Sequence, residues 1–251
     1  MNLTCVSTGS TSGNCYLVQD DNGHYLCLDC GKSVSEIELK KSCNFNVINI
    51  DAVLYTHGHI DHFGHQEYFF KSGILMYGCF ELGNHVLEIP EKSLQFLPKG
   101  WKIVPWSVPH TGNDGQDVKC YSYYIESPSG HRMVYLTDFM YSRLTFHNLK
   151  VQTILIACNH DNNVEECDNE AKYRHILSGH SSLSTVKEII RKNQTSCLRN
   201  VILCHLSDSN ATPFKMLNEI YGIVNPNVRV SIARKGRKYN LDERRWYPLT
   251  Q

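Results

Sequence analysis

Residues 57 to 62 read His-Gly-His-Ile-Asp-His, which places three imidazoles and a carboxylate within six positions directly after Thr56. The run Asp51-Ala-Val-Leu-Tyr55 before it is a short β-rich stretch, and a helix is expected to begin near Asp61. At such a strand-to-helix junction residues i and i+2 can project the same way. His57 and His59 can then grip one ion while Asp61 and His62 turn toward a second. Core packing has no use for so many imidazoles in one turn, so the motif constrains the chain to a fold that presents a strand end as a metal site.

The rest of the chain supplies such strands. Leu3 to Ser7, Cys15 to Gln19 and His24 to Asp29 are β-rich runs separated by turn formers, Thr8 to Asn14 and Asp20 to Gly23. Further strands are expected at Trp101 to Val108, Lys119 to Glu126, Arg132 to Thr137, Thr153 to Ala157 and Val201 to Cys204. Helical periodicity is confined to Leu183 to Lys192 and Pro213 to Tyr221, and the polar, acidic stretch from Asn162 to Ala171 reads as a surface loop. No repeat or Pro/Gly-rich linker divides the chain, so one domain over residues 1 to 251 is expected.

A chain of 251 residues, 41% of them hydrophobic, can bury a substantial core. Lys+Arg and Asp+Glu are equal at 25 each, so no global basic field draws it to nucleic acid. The stretch Arg234-Lys-Gly-Arg-Lys238 is the one local basic run with a possible use, as a phosphate contact or a solvated turn. No stretch reaches the roughly 20 apolar residues that span a bilayer, and Met1 to Val6 lacks a basic start followed by an apolar run. Eleven cysteines cannot all pair within one chain, and Cys5, Cys27, Cys158 and Cys204 sit in apolar strand-like runs. A reduced, cytoplasmic protein without a membrane segment is the expectation. Cys27-Leu-Asp-Cys30 has zinc-knuckle spacing, but no second such pair completes it, and a structural role is expected.

Two ions need more ligands than one turn holds. His110 ends the run Trp106 to His110, Asp138 ends Val134 to Asp138, and His205 ends Val201 to His205. Three ligand-type side chains at three further strand ends match the way α/β sites collect residues on one rim. Imidazole and carboxylate suit borderline-hard divalent ions, so zinc or manganese is expected, with iron also compatible.

With these seven positions the chain resembles the metallo-β-lactamase fold superfamily, whose signature is a His-x-His-x-Asp-His turn followed by a later His, Asp and His. A closer similarity is to a compact bacterial single-domain branch described as 5′ to 3′ exonucleases. It is carried by Thr8 to Asn14, Leu28-Asp-Cys-Gly31, Val108-Pro-His110, Asn159-His-Asp161, Gly179-His-Ser181 and His205-Leu-Ser207 through Pro213. The resemblance implies an αββα sandwich of two mixed sheets with helices outside. It also implies that His57, His59 and His110 hold one ion, that Asp61, His62 and His205 hold the other, and that Asp138 bridges them. His160 and His180 are candidates to contact a substrate phosphate or donate a proton.

Two divalent ions about 3.5 to 4 Å apart lower the pKa of a shared water and stabilise charge on the scissile group. A bridging hydroxide would attack phosphorus, Asp61 would orient it, and His180 or a bound water would protonate the leaving oxygen. The expected activity is therefore phosphodiester hydrolysis, with the ends of DNA or RNA or a small phosphodiester as substrate. A small-molecule hydrolase for a cyclic nucleotide, lactone or thioester is the alternative, since one fold hosts many reactions. A non-catalytic metal-binding module is a third reading, opposed by seven chemically competent ligands.

Overall fold

The computed structural model describes residues 1–9, 11–79, 85–112, 114–161 and 179–242. Two seven-stranded sheets carry it. The first is built from β1 (Asn2–Ser7), β2 (Cys15–Gln19), β3 (Tyr25–Leu28), β4 (Ile50–Leu54), β5 (Leu75–Gly78), β6 (Val86–Glu88) and β14 (Lys238–Asn240), in the order β14-β1-β2-β3-β4-β5-β6. The second is built from β7 (Gln95–Phe96), β8 (Lys102–Val108), β9 (Cys120–Glu126), β10 (Arg132–Leu136), β11 (Thr153–Ala157), β12 (Asn200–Cys204) and β13 (Arg229–Ile232), in the order β13-β12-β11-β10-β9-β8-β7. Each sheet is antiparallel in one half and parallel in the other, with the change at β3 in the first and at β10 in the second.

Side-chain alternation explains the layers. In β2, Tyr16 and Val18 face the core between the sheets, whereas Cys15 and Leu17 face a second core with Leu39 and Phe69. Those two residues belong to helices α1 (Glu36–Ser42) and α2 (Gln66–Lys71), which cover the first sheet. The second sheet is covered by α3 (Leu183–Asn193), which buries Leu183, Val186 and Ile190 on one face, and by α4 (Pro213–Tyr221), which buries Met216 and Ile220. The result is the expected αββα sandwich of two mixed sheets. Between the sheets the rings of Tyr16 and Tyr135 meet edge-on at 5.7 Å, and the Tyr123 hydroxyl donates to the Tyr55 carbonyl at 2.6 Å.

Both expected helices and all the expected strands form, within a residue or two at their ends. The helix expected from Asp61 does not. Its carbonyls are taken by neighbouring loops: Lys32 N donates to Ile60 O at 2.8 Å, Asn14 N to Asp61 O at 2.6 Å and Cys30 N to His62 O at 3.0 Å. A helix would need those acceptors for itself, so residues 58 to 64 form a turn and α2 begins only at Gln66, after His65 in a left-handed conformation. Helix α1 lies outside the periodic pattern, although Ser35 and Glu38 form the reciprocal capping box that would have located it.

Cys27 and Cys30 are buried, and every described cysteine is a free thiol. Arg234 to Arg237 forms the tight turn before β14, which begins at Lys238; Lys235 pairs with Glu38 at 2.5 Å and Arg237 lies over Tyr239. The polar stretch from Asn162 to Ala171 lies outside the described residues. No helix among the described residues is long and apolar enough to cross a membrane.

Candidate metal centre

The candidate ligands stand where strands end. Strand β4 stops at Leu54, three residues before His57; β8 stops at Val108, two before His110; β10 stops at Leu136, two before Asp138; and β12 stops at Cys204, directly before His205. Asp138 and His205 adopt left-handed backbone conformations with φ of 43° and 53°. Each costs an L-residue on the order of 1–3 kcal/mol, a strain that persists where the surroundings fix it, as at functional sites.

The seven residues fall into two groups. His57, His59, His110 and Asp138 form one, Asp61, His62, Asp138 and His205 the other, and within each group the ligand atoms all lie within 4.8 Å of one another. Asp138 belongs to both. Its Oδ2 lies 3.5 Å from His57 Nε2 and 3.3 Å from His62 Nε2, and its Oδ1 lies 3.1 Å from His205 Nε2. His205 Nε2 is also 3.3 Å from Asp61 Oδ2, and His110 Nε2 is 3.0 Å from His59 Nδ1. His57, His62 and His205 are fully buried, and Asp61 and His59 are the more open members.

The donor set fits divalent cations. His57 Nε2 and Asp138 Oδ1 are buried and make no hydrogen bond, although buried polar atoms in proteins are almost always bonded. Imidazole and carboxylate around such orphaned atoms are the donors that zinc, manganese and iron accept. The far nitrogens are already held: His62 Nδ1 meets Asp29 Oδ2 at 2.8 Å, and His110 Nδ1 donates to the Gly179 carbonyl at 2.8 Å. Such outer contacts fix the tautomer and aim the other nitrogen at an ion.

Three residues without an expected role shape this centre. Asp29, at the end of β3, is fully buried and accepts from Thr56 N at 2.8 Å and from the Tyr135 hydroxyl at 2.7 Å, besides its bond with His62. Asn14 donates its main-chain N–H to Asp61 O and places its amide 3.0 Å from His62 Nε2. Gly31 packs so tightly on the motif that a Cβ there would lie 2.2 Å from Asp61 O. The sequence signals were present as a carboxylate closing an apolar strand and as a glycine two residues after it, within landmarks that carried the resemblance but no chemistry.

Electrostatics divides the imidazoles. Burial holds His57 well below the usual histidine value and lowers His110 to about 4. Burial also pulls His62 and His205 down, but Asp61, Asp138 and Asp29 around the first and Asp138 and Asp61 around the second reverse this and raise both. Burial pulls the Asp138 carboxyl up, and His205, His62 and His180 outweigh it, so the group is held well below the carboxylate range.

Two cavities flank the centre. One, lined by Thr11, Lys32, Ser33, Ile60 and Asp61, opens on the Asp61 side. The other, of about 410 Å³, contains both remaining candidates, His160 and His180. His180 Nδ1 lies 3.5 Å from Asp138 Oδ1, and its ring stacks on His205 at 5.5 Å, so it adjoins the ligands. His160 sits on the wall of the same cavity, its Nδ1 donating to the Asp161 carbonyl at 2.6 Å.

The αββα sandwich thus brings two His/Asp groups that could hold metal ions together beside its strand ends. Residues 8–135, just over half of the chain, match the metallo-beta-lactamase superfamily, and the chain belongs to that superfamily. The metallo-beta-lactamase fold protein YhfI from Bacillus subtilis superposes with a TM-score of 0.68 at 16% identity, over 95% of this chain and 98% of that one. A diphosphatase of the PhnP family superposes with a TM-score of 0.62 at 16% identity, over 95% and 96%. Anti-Pycsar protein Apyc1 of Bacillus phage 010DV004 is 34% identical over 94 residues, covering 36% of this chain and 34% of that protein. The match therefore spans about a third of the length of that relative.

Proposed function

We propose that this protein is a phosphodiesterase that cleaves nucleotide phosphodiesters with two divalent ions. The observation that carries the reading is the pair of ligand groups sharing Asp138. Paired sites of this kind suit in-line displacement at phosphorus, where entering and leaving oxygens both need charge stabilisation. The diphosphatase among the structural neighbours works on phosphorus-oxygen bonds, which fits the same chemistry. His57, His59 and His110 would hold one ion, Asp61, His62 and His205 the other, with Asp138 common to both. Bound there, zinc, manganese or iron would supply an activated water and neutralise charge on the phosphate.

The chain's own groups do the rest. Asp61, on the open side at 17% side-chain exposure, orients the attacking water by accepting its hydrogen bond. His180, on the opposite cavity wall and 10% exposed, donates the proton that the leaving oxygen takes. His57, His62 and His205, fully buried, keep bulk water from the ligand atoms. Linear ends of nucleic acid, cyclic nucleotides and other small phosphodiesters are substrate forms that this chemistry admits.

The test is turnover of bis-p-nitrophenyl phosphate by protein loaded with zinc or manganese, beside end-labelled DNA and RNA, cyclic nucleotides and a lactone panel. Phosphodiester hydrolysis that Asp61→Ala abolishes is the expected result. Hydrolysis of lactones alone, or equal rates for wild type and Asp61→Ala, would overturn the reading.

A further inference from the structure

We infer that Ile60 is the platform for the organic group that stays on the phosphate, and that this group is a nucleoside whose base lies flat against the isoleucine side chain. The inference rests on the phosphodiesterase reading above and names the part of the substrate that the Asp61 side of the centre recognises.

Ile60 stands between two candidate ligands, His59 and Asp61, yet it is 66% exposed. The turn that carries it is pinned and cannot rotate to bury the side chain. Ile60 O accepts from Lys32 N at 2.8 Å, Asp61 O from Asn14 N at 2.6 Å and His62 O from Cys30 N at 3.0 Å. All of these atoms are main chain, so the backbone itself holds an apolar group in water beside the ligands. Single exposed apolar residues are ordinary on protein surfaces. This one forms the wall of a cavity of about 320 Å³, together with Asp61, Thr11, Lys32 and Ser33.

The two cavities beside the ligands differ in chemistry. The one at His180 presents two imidazoles and a set of hydroxyls, which suit polar atoms. The one at Asp61 presents the Ile60 side chain and the methylene stem of Lys32, which covers apolar surface while its ammonium stays in water. A planar heteroaromatic ring loses water from its face on such a wall. The hydroxyls of Thr11 and Ser33 turn to donate or accept and so meet its polar edge. The proposed displacement places the ring on the same side. Water oriented by Asp61 forms the new bond to phosphorus, and the bond that breaks leads to the oxygen that takes the His180 proton. The other ester oxygen neither enters nor leaves, and the group it carries remains on the phosphomonoester product. With the leaving group at His180, the retained group falls to the Asp61 side, against Ile60.

The experiment measures kcat/KM on two diesters with one leaving group, thymidine 5′-(p-nitrophenyl phosphate) and methyl p-nitrophenyl phosphate, so that only the retained group differs. The readout is the ratio of the two within each metal-loaded protein, because a change in metal content alters both rates alike. The wild type is expected to favour the thymidine diester. Ile60→Ser should reduce that preference by about tenfold, the factor that removing roughly 55 Å² of apolar surface from water supplies. The side chain is largely exposed, so this variant is expected to fold. Ile60→Leu should retain the preference. Cleavage with no preference in the wild type, or with a preference unchanged in Ile60→Ser, overturns the platform and leaves the phosphodiesterase reading intact. If neither diester is cleaved, that reading falls, and saturation-transfer NMR of thymidine 5′-monophosphate with the metal-loaded protein still decides the platform. Base-proton signals that are absent with the wild type, or as strong with Ile60→Ser, overturn it.

Discussion

The Asp29 carboxylate and the His62 imidazole meet at 2.8 Å where neither side chain is exposed to solvent. The contact joins the end of β3 to the motif after β4 and fixes which nitrogen of His62 faces Asp138. Asp29 reaches this position in a left-handed conformation, φ 53°, and is held by donors from both sheets, Thr56 on one and Tyr135 on the other. A carboxylate held in this way raises the basicity of the imidazole it contacts.

Replacing that carboxylate with an amide should therefore act on metal affinity before anything else. Asp29→Asn keeps the shape but points an NH2 at groups that donate, leaving at least one donor unpaired. The expectation is a loss of about 10 to 100-fold in metal affinity, measured by competition with a chromogenic chelator. Tyr135→Phe removes one neutral donor and should cost much less. Unchanged affinity in Asp29→Asn would show that the contact does not orient the ligand.

The ligands were legible because each combines a ligand-type side chain with the end of an apolar run, a pattern that survives without knowing the partner. Asp29 and Asn14 were not, because what they do depends on pairing across 27 to 106 positions of sequence. Pairing of β1 with β14 hides in the same way: Leu3 faces Tyr239 in a strand of three residues, too short for an alternation to register. The turn at Asp61 was misjudged for a related reason, since its helix is prevented by hydrogen bonds from loops at residues 14, 30 and 32.

Gly31 offers a steric test of how Asp61 is placed. A methyl group there would lie 2.2 Å from Asp61 O and 2.6 Å from its carbonyl carbon, so either loop must move. Both atoms are main chain, which gives less readily than a side chain. Gly31→Ala should lower stability by about 1–3 kcal/mol, the usual cost of overpacking, and shift Asp61 out of its group. Thermal denaturation gives the first quantity and metal content by mass spectrometry the second. Two ions per chain at wild-type affinity would refute the close-approach argument.

The shared position of Asp138 predicts an asymmetry among ligand variants. His110→Ala removes a donor from one group only and His205→Ala from the other, so each protein is expected to keep one tightly bound ion. Asp138→Ala removes a donor from both and should bind neither ion tightly. Equilibrium dialysis with zinc or manganese counts the ions directly. Loss of both ions in His110→Ala would mean that the groups are not separable.

Proton release on metal loading follows from the division among the imidazoles. Without an ion, the carboxylates around His62 and His205 raise their pKa values, whereas burial keeps His57 low and His110 at about 4. The first pair therefore holds protons more strongly than the second, and an incoming cation must displace those that are bound. Metal affinity should rise with pH through neutrality, by up to about tenfold per pH unit for each proton released. The same raised values mean that, in metal-free protein, His62 and His205 contribute stability that is full below the unfolded imidazole value near 6.5 and is lost as pH rises through their folded values. His110, depressed to about 4, works the opposite way: its contribution is full above about 6.5 and is lost as pH falls toward 4. Calorimetric titration of chelator-treated protein with zinc, in buffers of different ionisation enthalpy, counts the released protons. A count near zero at pH 7 would show that His62 and His205 are neutral before the ion arrives.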